Sequence, residues 1–346
     1  MFDNASFDAH EGVHFFHDVA TGLRAIIAIH STARGPAAGG TRMWNYQASD
    51  KMLTDVLRLS RGMSYKNAMA DIPLGGGKGV IWGNSKTEKT PDLFRAYGRA
   101  VQSLQGRYYT AEDVGIDVAD MEHVREETAF VAGLDEGEAA SGDPSPITAM
   151  GVFLGIKESV KRAFGNDDLT GRTVAVQGVG SVGGYTCRHL ASAGAELVIT
   201  DIDQVALHEI AEATGAKIVA PDEIYDVEAD VFSPNALGAI INPDTLPRLK
   251  AKVVAGGANN QLATPDMGDA LREKGVLYAP DYVINGGGII NVAAEISGTY
   301  SREWVDRKLA HLMLTLGDVL DEALSDNVAT NQVADRIARQ RIADAN

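Results

Sequence analysis

Cysteine is nearly absent from this sequence, since the chain of 346 residues contains only Cys187. One cysteine cannot form an intrachain disulfide, which excludes the small disulfide-stabilised folds and favours a reducing compartment. The residues around Cys187 predict a helix. We therefore interpret this thiol as a packed core side chain rather than a nucleophile.

Positive charge is also scarce, because 31 Lys and Arg residues stand against 47 Asp and Glu, for a net charge of −16. No run of several basic residues interrupts this acidity, so binding to nucleic acids or anionic membranes is not expected. Apolar runs of membrane-spanning length and a signal-peptide pattern are lacking too, which predicts a cytoplasmic protein. The eight histidines are scattered, and no metal site is predicted.

The apolar content of 45% is that of an ordinary globular protein, and the length allows two domains. Strand patterns at 13–17 and 23–30 predict a hairpin near the start. From residue 173 onward, strand and helix patterns alternate, which is typical of a parallel sheet covered on both faces. Small and turn-forming residues at 132–146 predict a hinge, so we expect domains at 1–140 and 141–324.

An unusual stretch at 64–81 carries two lysines, Lys66 and Lys78, twelve residues apart with almost no other charge between them. The pattern places Lys66 near the end of a helix whose start Ser49 or Asp50 could cap, and Lys78 at the start of a strand after three glycines. Burial among apolar residues lowers the pKa of a lysine toward a catalytically useful range. The alternative is a glycine turn with two surface lysines, and the stretch alone leaves both interpretations open.

Two further features could contact a ligand. Asp113 follows the strand pattern at 108–111, and ligands bind at the carboxyl ends of strands in α/β sheets. The alternative role for Asp113 is a helix cap, because another helix is predicted to begin near Asp117. The loop at 35–42 is rich in small residues, so its backbone could approach a ligand or serve as a plain connector.

A dinucleotide-binding motif follows the predicted strand at 173–177. Gly178, Gly180 and Gly183 form GxGxxG, in which the glycines allow a tight turn, close approach to the pyrophosphate and helix packing. Ser181 and Val182 lie at the helix N-terminus, whose N–H groups bind phosphate. Asp201 ends the next strand, where a carboxylate accepts from ribose hydroxyls and repels a 2′-phosphate, so NAD is predicted over NADP. Asp203 is a second, weaker candidate.

Taken together, the motifs resemble those of the amino acid dehydrogenase family, specifically its leucine, valine and phenylalanine dehydrogenase branch. Seven segments match in family order over nearly the whole chain: 35–42, 65–78, 110–115, 141–148, 178–183, 255–262 and 278–292. The resemblance implies an α/β fold of two domains separated by a cleft. The N-terminal domain would bind substrate and form the oligomer, and the C-terminal doubly wound Rossmann-type domain would bind NAD.

The resemblance also implies roles for individual residues in NAD-dependent oxidative deamination. Lys66 would hold the substrate α-carboxylate, Lys78 would be the general base, and Asp113 would relay protons to and from the amino group. The backbone at Gly39 and Gly40 would line the substrate site. The remaining implied contacts are Asn259, beside Asn260, with substrate or nicotinamide, Thr148 with the nicotinamide carboxamide, and Asn235 with the nicotinamide pocket.

The substrate is expected to be an apolar L-amino acid. Ala38 and Val292 match the positions where the glutamate-specific branch has a lysine and a serine, and a buried glutamate carboxylate would lack a partner there. The small side chain of Ala38 would leave room in the substrate site for an aromatic ring. Ile289 would reduce that room from another side. Leucine or valine is therefore expected first, with phenylalanine close behind.

Two departures from the family pattern are present: Asn235 replaces the common cysteine, and Gly286 replaces the usual alanine. The resemblance further implies a homo-oligomer, a dimer or an octamer, and a C-terminal tail at 325–346 that packs on the first domain. The alternatives are a glutamate- or tryptophan-preferring dehydrogenase and a non-catalytic NAD-responsive binding protein. Lys66, Lys78 and Asp113 argue against the binding protein, because a pure sensor needs no apolar lysine pair.

Overall fold

The computed structural model describes residues 1–134, 143–236, 238–298 and 300–345. Two compact units are present: Met1–Asp143 with Ile289–Val305 and Ala338–Asn346, and Pro144–Gly288 with Asp306–Ile337. Within the described ranges, no helix is both long and apolar enough to cross a membrane. The predicted hinge at 132–146 falls mainly on residues outside the described ranges, and the predicted domain limits stay predictions.

The first unit contains a six-stranded mixed sheet. Its strands are β1 (Gly12–Asp18), β2 (Leu23–Ser31), β3 (Ala37–Ala38), β4 (Thr41–Trp44), β5 (Gly75–Trp82) and β6 (Tyr108–Tyr109). The order is β1-β2-β5-β3-β6, and β4 also pairs with β5. Strand β2 pairs antiparallel with both β1 and β5, and its pairing with β1 confirms the predicted hairpin. Strands β3, β4 and β6 join the sheet through parallel pairs.

Three helices of the first unit cover this sheet: α1 (Ser49–Met69), α2 (Pro91–Gln102) and α3 (Val118–Arg125). The Thr90 side chain caps α2 by accepting from the Leu93 N–H, and proline occupies the first helical position. The predicted cap of α1 is wrong, because its N-cap is Ala48, which makes no side-chain cap hydrogen bond. Asp113 is not a helix cap either, since Asp117 caps α3 in a capping box with Asp120.

The triple glycine is part of a strand rather than a turn, so the predicted strand start at Lys78 is wrong. Strand β5 begins at Gly75, and Lys78 lies in its middle. A methyl group on Gly76 would lie 2.0 Å from the Ser64 backbone nitrogen, and one on Gly79 would lie 2.0 Å from the Tyr97 hydroxyl. Helix α1 can therefore pack directly on β5 only because Gly76 has no side chain, and Gly79 likewise leaves room for Tyr97 of α2.

The second unit contains a six-stranded sheet that is parallel throughout. Its strands are β7 (Thr173–Gln177), β8 (Glu196–Thr200), β9 (Lys217–Ile218), β10 (Val231–Pro234), β11 (Val253–Val254) and β12 (Leu277–Tyr278). The order is β12-β11-β10-β7-β8-β9. This order is that of a dinucleotide-binding doubly wound sheet. The sheet is extended in one direction from β7 to β9 and in the opposite direction from β10 to β12, so the strand order reverses between β7 and β10. The predicted Rossmann-type fold is confirmed.

The remaining helices follow residue 144 in the chain. They are α4 (Ser145–Phe164), α5 (Ser181–Ser192), α6 (Gln204–Thr214), α7 (Met267–Glu273), α8 (Asp281–Ile284), α9 (Gly287–Ile296), α10 (Arg302–Asp326) and α11 (Thr330–Ala343). Cys187 is fully buried on α5, and this burial raises the pKa of its thiol to about 12. The interpretation of Cys187 as a core side chain is therefore confirmed.

Candidate active site

Lys78 and Asp113 form an ion pair in the first unit. Lys78 is 6% exposed in the middle of β5, and its Nζ lies 2.7 Å from the Asp113 Oδ2. Burial alone would raise the pKa of Asp113, but Lys78 and Arg42 outweigh it and lower that pKa to about 2. The structure thus brings together the predicted base and the predicted proton relay, with the carboxylate ionised at neutral pH.

Gly40 allows Asp113 to reach this position. A methyl group on Gly40 would lie 2.3 Å from the Glu112 carbonyl oxygen and 3.0 Å from the Asp113 Cβ. A larger residue at position 40 would therefore push the Asp113 loop away from β5. The glycine pair at 39–40 was predicted to face a ligand, and here one of its members also has a packing role.

A buried hydroxyl network holds the segment at 39–42 in place. The Tyr108 hydroxyl donates to the Gly39 carbonyl oxygen at 2.6 Å, and the Thr41 hydroxyl lies 2.5 Å from that of Tyr97 and 2.6 Å from that of Thr110. Burial raises the pKa of both tyrosines, so they stay protonated hydrogen-bond donors. Backbone and side-chain contacts thus hold the loop at 39–42 rigidly beside β5.

Arg42 is a member of the site that the sequence analysis did not identify. Its Nε lies 3.4 Å from the Asp113 Oδ2, and its Nη1 lies 3.2 Å from the Asp55 Oδ2 on α1. The Tyr46 hydroxyl donates to the same Asp55 oxygen at 2.7 Å. An arginine two residues after a glycine pair, followed by an acidic residue on a predicted helix, was the available sequence signal.

Lys66 lies in the last turn of α1, partly exposed. Contacts of two side chains, those of Asn67 and Arg341, fix this turn. The Asn67 side chain donates to the Gly75 carbonyl oxygen at 2.6 Å, and the Arg341 Nη1 donates to the carbonyl oxygens of Ala68 and Met69 at 3.1 and 3.0 Å. Arg341 on α11 therefore stabilises the helix end that carries the predicted carboxylate anchor.

Three apolar residues of the first unit occupy the predicted substrate-selecting positions. Ala38 is 1% exposed on β3, and Ile289 is 8% exposed on α9. Val292 is partly exposed three residues further along α9, a spacing that places it on the same helix face as Ile289. None of these side chains can hydrogen-bond a carboxylate.

The GxGxxG motif in the second unit connects β7 to α5. Gly178 has a φ of +92°, and a methyl group on Gly183 would lie 2.0 Å from the Gly178 carbonyl oxygen. A methyl group on Gly180 would meet no described atom within 4 Å. The backbone at Gly180, Ser181 and Val182 begins α5, and the N-cap Gly180 has no side chain to cover the helix N-terminus. This geometry fits a bound pyrophosphate.

Asp201 follows β8 and contacts the glycine loop. Its Oδ2 accepts from the Val179 N–H at 2.7 Å, and its Oδ1 accepts from the Asp203 N–H at 2.9 Å. Each carboxylate oxygen keeps a second lone pair that could accept from a ribose hydroxyl. Asp203 instead caps α6 by accepting from the Val205 and Ala206 N–H groups, which makes it the weaker candidate.

The other predicted nicotinamide contacts lie in the same unit. The Asn235 side chain donates to the Ser233 carbonyl oxygen at 3.0 Å and accepts from the Gly257 N–H at 2.8 Å. The Asn259 Oδ1 accepts from the Asn285 side chain at 2.8 Å, a contact that the sequence analysis did not anticipate.

Thr148 lies in the first turn of α4, where its hydroxyl donates to the Pro144 carbonyl oxygen at 3.0 Å. Its contact with a nicotinamide stays a prediction, as do those of Asn235 and Asn259. No group of three or more His, Cys, Asp or Glu residues among the described positions is placed to hold a metal ion.

Comparison with known families gives two matches that together span most of the chain. The model of the Glu/Leu/Phe/Val dehydrogenase dimerisation domain matches residues 10–130. The model of Glutamate/Leucine/Phenylalanine/Valine dehydrogenase matches residues 140–204 and 199–346.

Individual proteins show the same similarity. A leucine dehydrogenase from Geobacillus stearothermophilus is 52% identical over 333 residues, which cover 96% of this chain and 90% of that protein. A phenylalanine dehydrogenase from Lysinibacillus sphaericus is 46% identical over 338 residues, covering 96% and 88%. The crystal structure of L-tryptophan dehydrogenase from Nostoc punctiforme matches with a TM-score of 0.84 at 44% identity, covering 97% of each chain.

Proposed function

Because the chain belongs to the Glu/Leu/Phe/Val dehydrogenase family of NAD-dependent amino acid dehydrogenases, we propose that it oxidatively deaminates an apolar L-amino acid. The products are the 2-oxo acid and ammonia, and the reaction is reversible. The observation that carries this proposal is the buried pair of Lys78 and Asp113, 2.7 Å apart. A buried lysine and carboxylate in contact are suited to moving protons on and off a reacting amino group.

Lys78 is the proposed general base. When bound, NAD accepts the hydride from the substrate Cα, and the resulting imine must add water. The Lys78 Nζ, as a neutral amine, takes the proton of that water. The Lys78 Nζ lies 2.7 Å from the Asp113 Oδ2, so a proton can pass directly between the two groups.

Asp113 is the proposed proton relay. Its Oδ2 is in contact with the Lys78 Nζ and therefore can pass a proton to the departing amine and recover it through Lys78. Its low pKa makes the protonated acid a transient species at neutral pH, which suits a relay better than a storage site.

Lys66 is the proposed anchor of the substrate α-carboxylate, with the backbone at Gly39 and Gly40 lining the same site. Its support is its place at the end of α1, which packs on the strand that carries Lys78. A lysine that binds a carboxylate needs a fixed position rather than a shifted pKa. The contacts of Asn67 and Arg341 with the same helix end provide that fixation.

NAD is the proposed ligand of the glycine loop. Gly178, Gly180 and Gly183 would allow the pyrophosphate to approach, the N–H groups at Ser181 and Val182 would bind it, and Asp201 would accept from the adenosine ribose. Thr148, Asn235 and Asn259 are the proposed neighbours of the nicotinamide.

Apolar substrates are favoured by Ala38, Ile289 and Val292, which offer no partner to a charged side chain. Leucine or valine is the first choice, and phenylalanine is next. The named relatives act on leucine, phenylalanine and tryptophan, and the higher identity to the leucine dehydrogenase supports this order. Glutamate is the least suitable substrate.

We also propose a homo-oligomer, a dimer or an octamer, formed through the first domain, in the cytoplasm. The family description of residues 10–130 as a dimerisation domain supports this assignment. Phe15 on β1 and Val19 directly after it are 62% and 84% exposed, as expected for side chains covered by a second copy. The proposed domain limits are 1–140, 141–324 and a returning tail at 325–346.

The assay that tests the function measures NADH formation from NAD with a panel of L-amino acids: leucine, valine, phenylalanine, tryptophan and glutamate. The reverse reaction uses the 2-oxo acids, ammonia and NADH. We expect activity with the apolar members and little with glutamate. Activity with glutamate alone would contradict the substrate proposal, and no activity with any member would favour an NAD-responsive binding protein.

A further inference from the structure

Asp113 is in contact with two cations through a single oxygen. The Lys78 Nζ and the Arg42 Nε lie 2.7 and 3.4 Å from the same Oδ2. The side chains are mostly inaccessible, at 7% exposure for Lys78 and 22% for both Arg42 and Asp113. The proton chemistry assigned to Lys78 and Asp113 uses only one of these cations. Arg42 therefore requires a separate explanation.

Asp55 holds the Arg42 guanidinium through Nη1, whereas Asp113 faces its Nε, and Tyr46 in turn holds Asp55. Asp55 lies on α1, and its carboxylate accepts from both the Arg42 Nη1 and the Tyr46 hydroxyl. Burial alone would lower the pKa of Arg42, but Asp113 and Asp55 outweigh it and raise that pKa. Arg42 is consequently a permanent positive charge whose position does not depend on the state of Lys78.

A permanent charge is useful here because Lys78 must lose its proton to act as a base. At that moment the buried Asp113 carboxylate would lose its cationic partner, and an unpaired buried carboxylate is strongly unfavourable. Without a second cation, Asp113 would retain the proton or rotate toward solvent. Either change would remove the relay from Lys78.

We propose that Arg42, tethered by Asp55, is a positioning residue that keeps Asp113 ionised and directed at Lys78 after Lys78 has given up its proton. This inference rests on the proposed function, in which Lys78 is the base and Asp113 the relay. Arg42 itself touches neither substrate nor cofactor in this account and acts only through Asp113.

Charged side chains face Asp113 from two strands. Lys78 approaches from β5 and Arg42 from β4, while Asp55 on α1 and the hydroxyl of Tyr46 complete the far side of Arg42. Removing the Arg42 charge leaves the pair of Lys78 and Asp113 with less positive charge nearby. The pair then retains a proton to higher pH.

The test compares Arg42→Ala and Arg42→Lys with the wild type in the pH dependence of kcat and kcat/KM for the amino acid. We expect kcat to fall on the order of 10²-fold in Arg42→Ala, with a smaller change in KM. The acid limb of the kcat/KM profile should move to higher pH. Arg42→Lys should recover part of kcat, and added guanidinium should partly restore Arg42→Ala.

Asp55→Asn provides a second variant if Arg42→Ala folds poorly. It removes the tether while retaining the Arg42 charge, so it should lower kcat by less than Arg42→Ala with the same preference for kcat over KM. Arg162→Ala is the matched control, because Arg162 is also mostly buried, at 15% exposure, in ion pairs with Glu158 and Asp321. It should lower thermal stability without moving the pH profile, and guanidinium should not raise its kcat.

Lys78→Ala, measured alongside, separates this inference from the proposed function. If Lys78→Ala keeps full turnover, the proposed function fails and the positioning role fails with it. If Lys78→Ala is inactive while a folded Arg42→Ala keeps the wild-type kcat and acid limb, only the positioning role of Arg42 is overturned. A loss of kcat in Arg42→Ala with an unmoved acid limb and no response to guanidinium would also overturn it, since that pattern indicates a purely structural role.

Discussion

The candidate sites in the two units of this protein consist of different chemical groups. In the first unit, buried charged side chains form the site: Lys78, Asp113, Arg42 and Asp55 are linked in one chain of ion pairs. In the second unit, backbone forms the site, since Gly178, Gly180 and Gly183 leave a helix N-terminus uncovered. The contrast follows from the tasks, because proton transfer needs titratable groups and pyrophosphate binding needs N–H groups.

This contrast predicts different sensitivities to change. A buried charge network depends on every partner, so removing one charge affects the function of the rest. A site formed by backbone N–H groups tolerates changes in nearby side-chain charge, but it does not tolerate added side-chain volume at its glycines.

After the loss of Lys78 itself, the largest effect is expected for Asp113→Asn. The amide cannot carry a proton between Lys78 and the amino group, so kcat should fall by about 10²–10⁴-fold while the Kd for NAD stays unchanged. Asp117→Asn is the control, because Asp117 lies four residues further along, where it caps α3 and pairs with Lys89 at 2.9 Å but does not contact Lys78. That control should lose stability of about 1 kcal/mol without a loss of kcat. A tighter or weaker NAD Kd in Asp113→Asn would undermine the separation between the two sites.

Acid should destabilise the first unit. Burial, together with neighbouring His10, lowers the pKa of His30 to about 4 from 6.5. Between these values the unfolded chain binds more protons, so the free energy of unfolding should fall by about 2–3 kcal/mol as the pH drops through this window. Above it, the stability contribution is fully present.

Tryptophan fluorescence is well suited to this measurement, because all 3 tryptophans, Trp44, Trp82 and Trp304, lie in the first unit. Denaturant unfolding at several pH values gives the free energy directly. His30→Asn should reduce the pH dependence, since the amide can still contact Ser64, 2.8 Å from the His30 Nδ1. His208→Asn, on an exposed face of the second unit, should leave the dependence unchanged.

Two substitutions in the glycine loop should distinguish an effect on folding from an effect on NAD binding. A methyl group on Gly183 collides with the Gly178 carbonyl oxygen, so Gly183→Ala should lower stability by about 1–3 kcal/mol and weaken NAD binding as well. A methyl group on Gly180 has open space within the chain, so Gly180→Ala should keep the melting temperature and raise only the Kd for NAD. Calorimetry measures both quantities. Unchanged NAD binding in Gly180→Ala would place the pyrophosphate elsewhere.

The C-terminal tail should influence substrate binding. Arg341→Met removes the guanidinium that donates to the carbonyl oxygens of Ala68 and Met69, which loosens the last turn of α1 and Lys66 with it. We expect KM for the amino acid to rise about tenfold with little change in kcat. Arg336→Met is the control, since Arg336 is 59% exposed in an ion pair with Glu322. An unchanged KM in Arg341→Met would exclude this role of the tail.

Much of the fold could be predicted from the sequence because its signals are local. Alternating strand and helix patterns identified the parallel sheet, and the glycine motif identified the turn between β7 and α5. The resemblance to family motifs pointed to Lys78 and Asp113, which the structure places in contact. The strand character of Gly75 to Gly77 could not be predicted, because glycine disfavours strands. The close approach of Ser31, Ser64 and Tyr108 to these glycines exists only in the folded chain.

The tether of Arg42 escaped prediction for a related reason. Arg42 and Asp55 are thirteen residues apart and lie on different elements, so only the packing of α1 beside β4 reveals their contact. The Asn285 contact with Asn259 likewise joins residues that are distant in sequence. Pairs of polar residues within tertiary structure carry no periodic signal, and sequence patterns therefore do not find them.

The most direct test of the account is Lys78→Ala, assayed for NADH formation from NAD and L-leucine while NAD binding is measured by calorimetry on the same preparation. The account predicts that turnover is abolished and that the Kd for NAD equals that of the wild type, because the base and the dinucleotide site belong to different units. Retained turnover in this variant, with folding and NAD binding intact, would contradict the assignment of Lys78 as the general base.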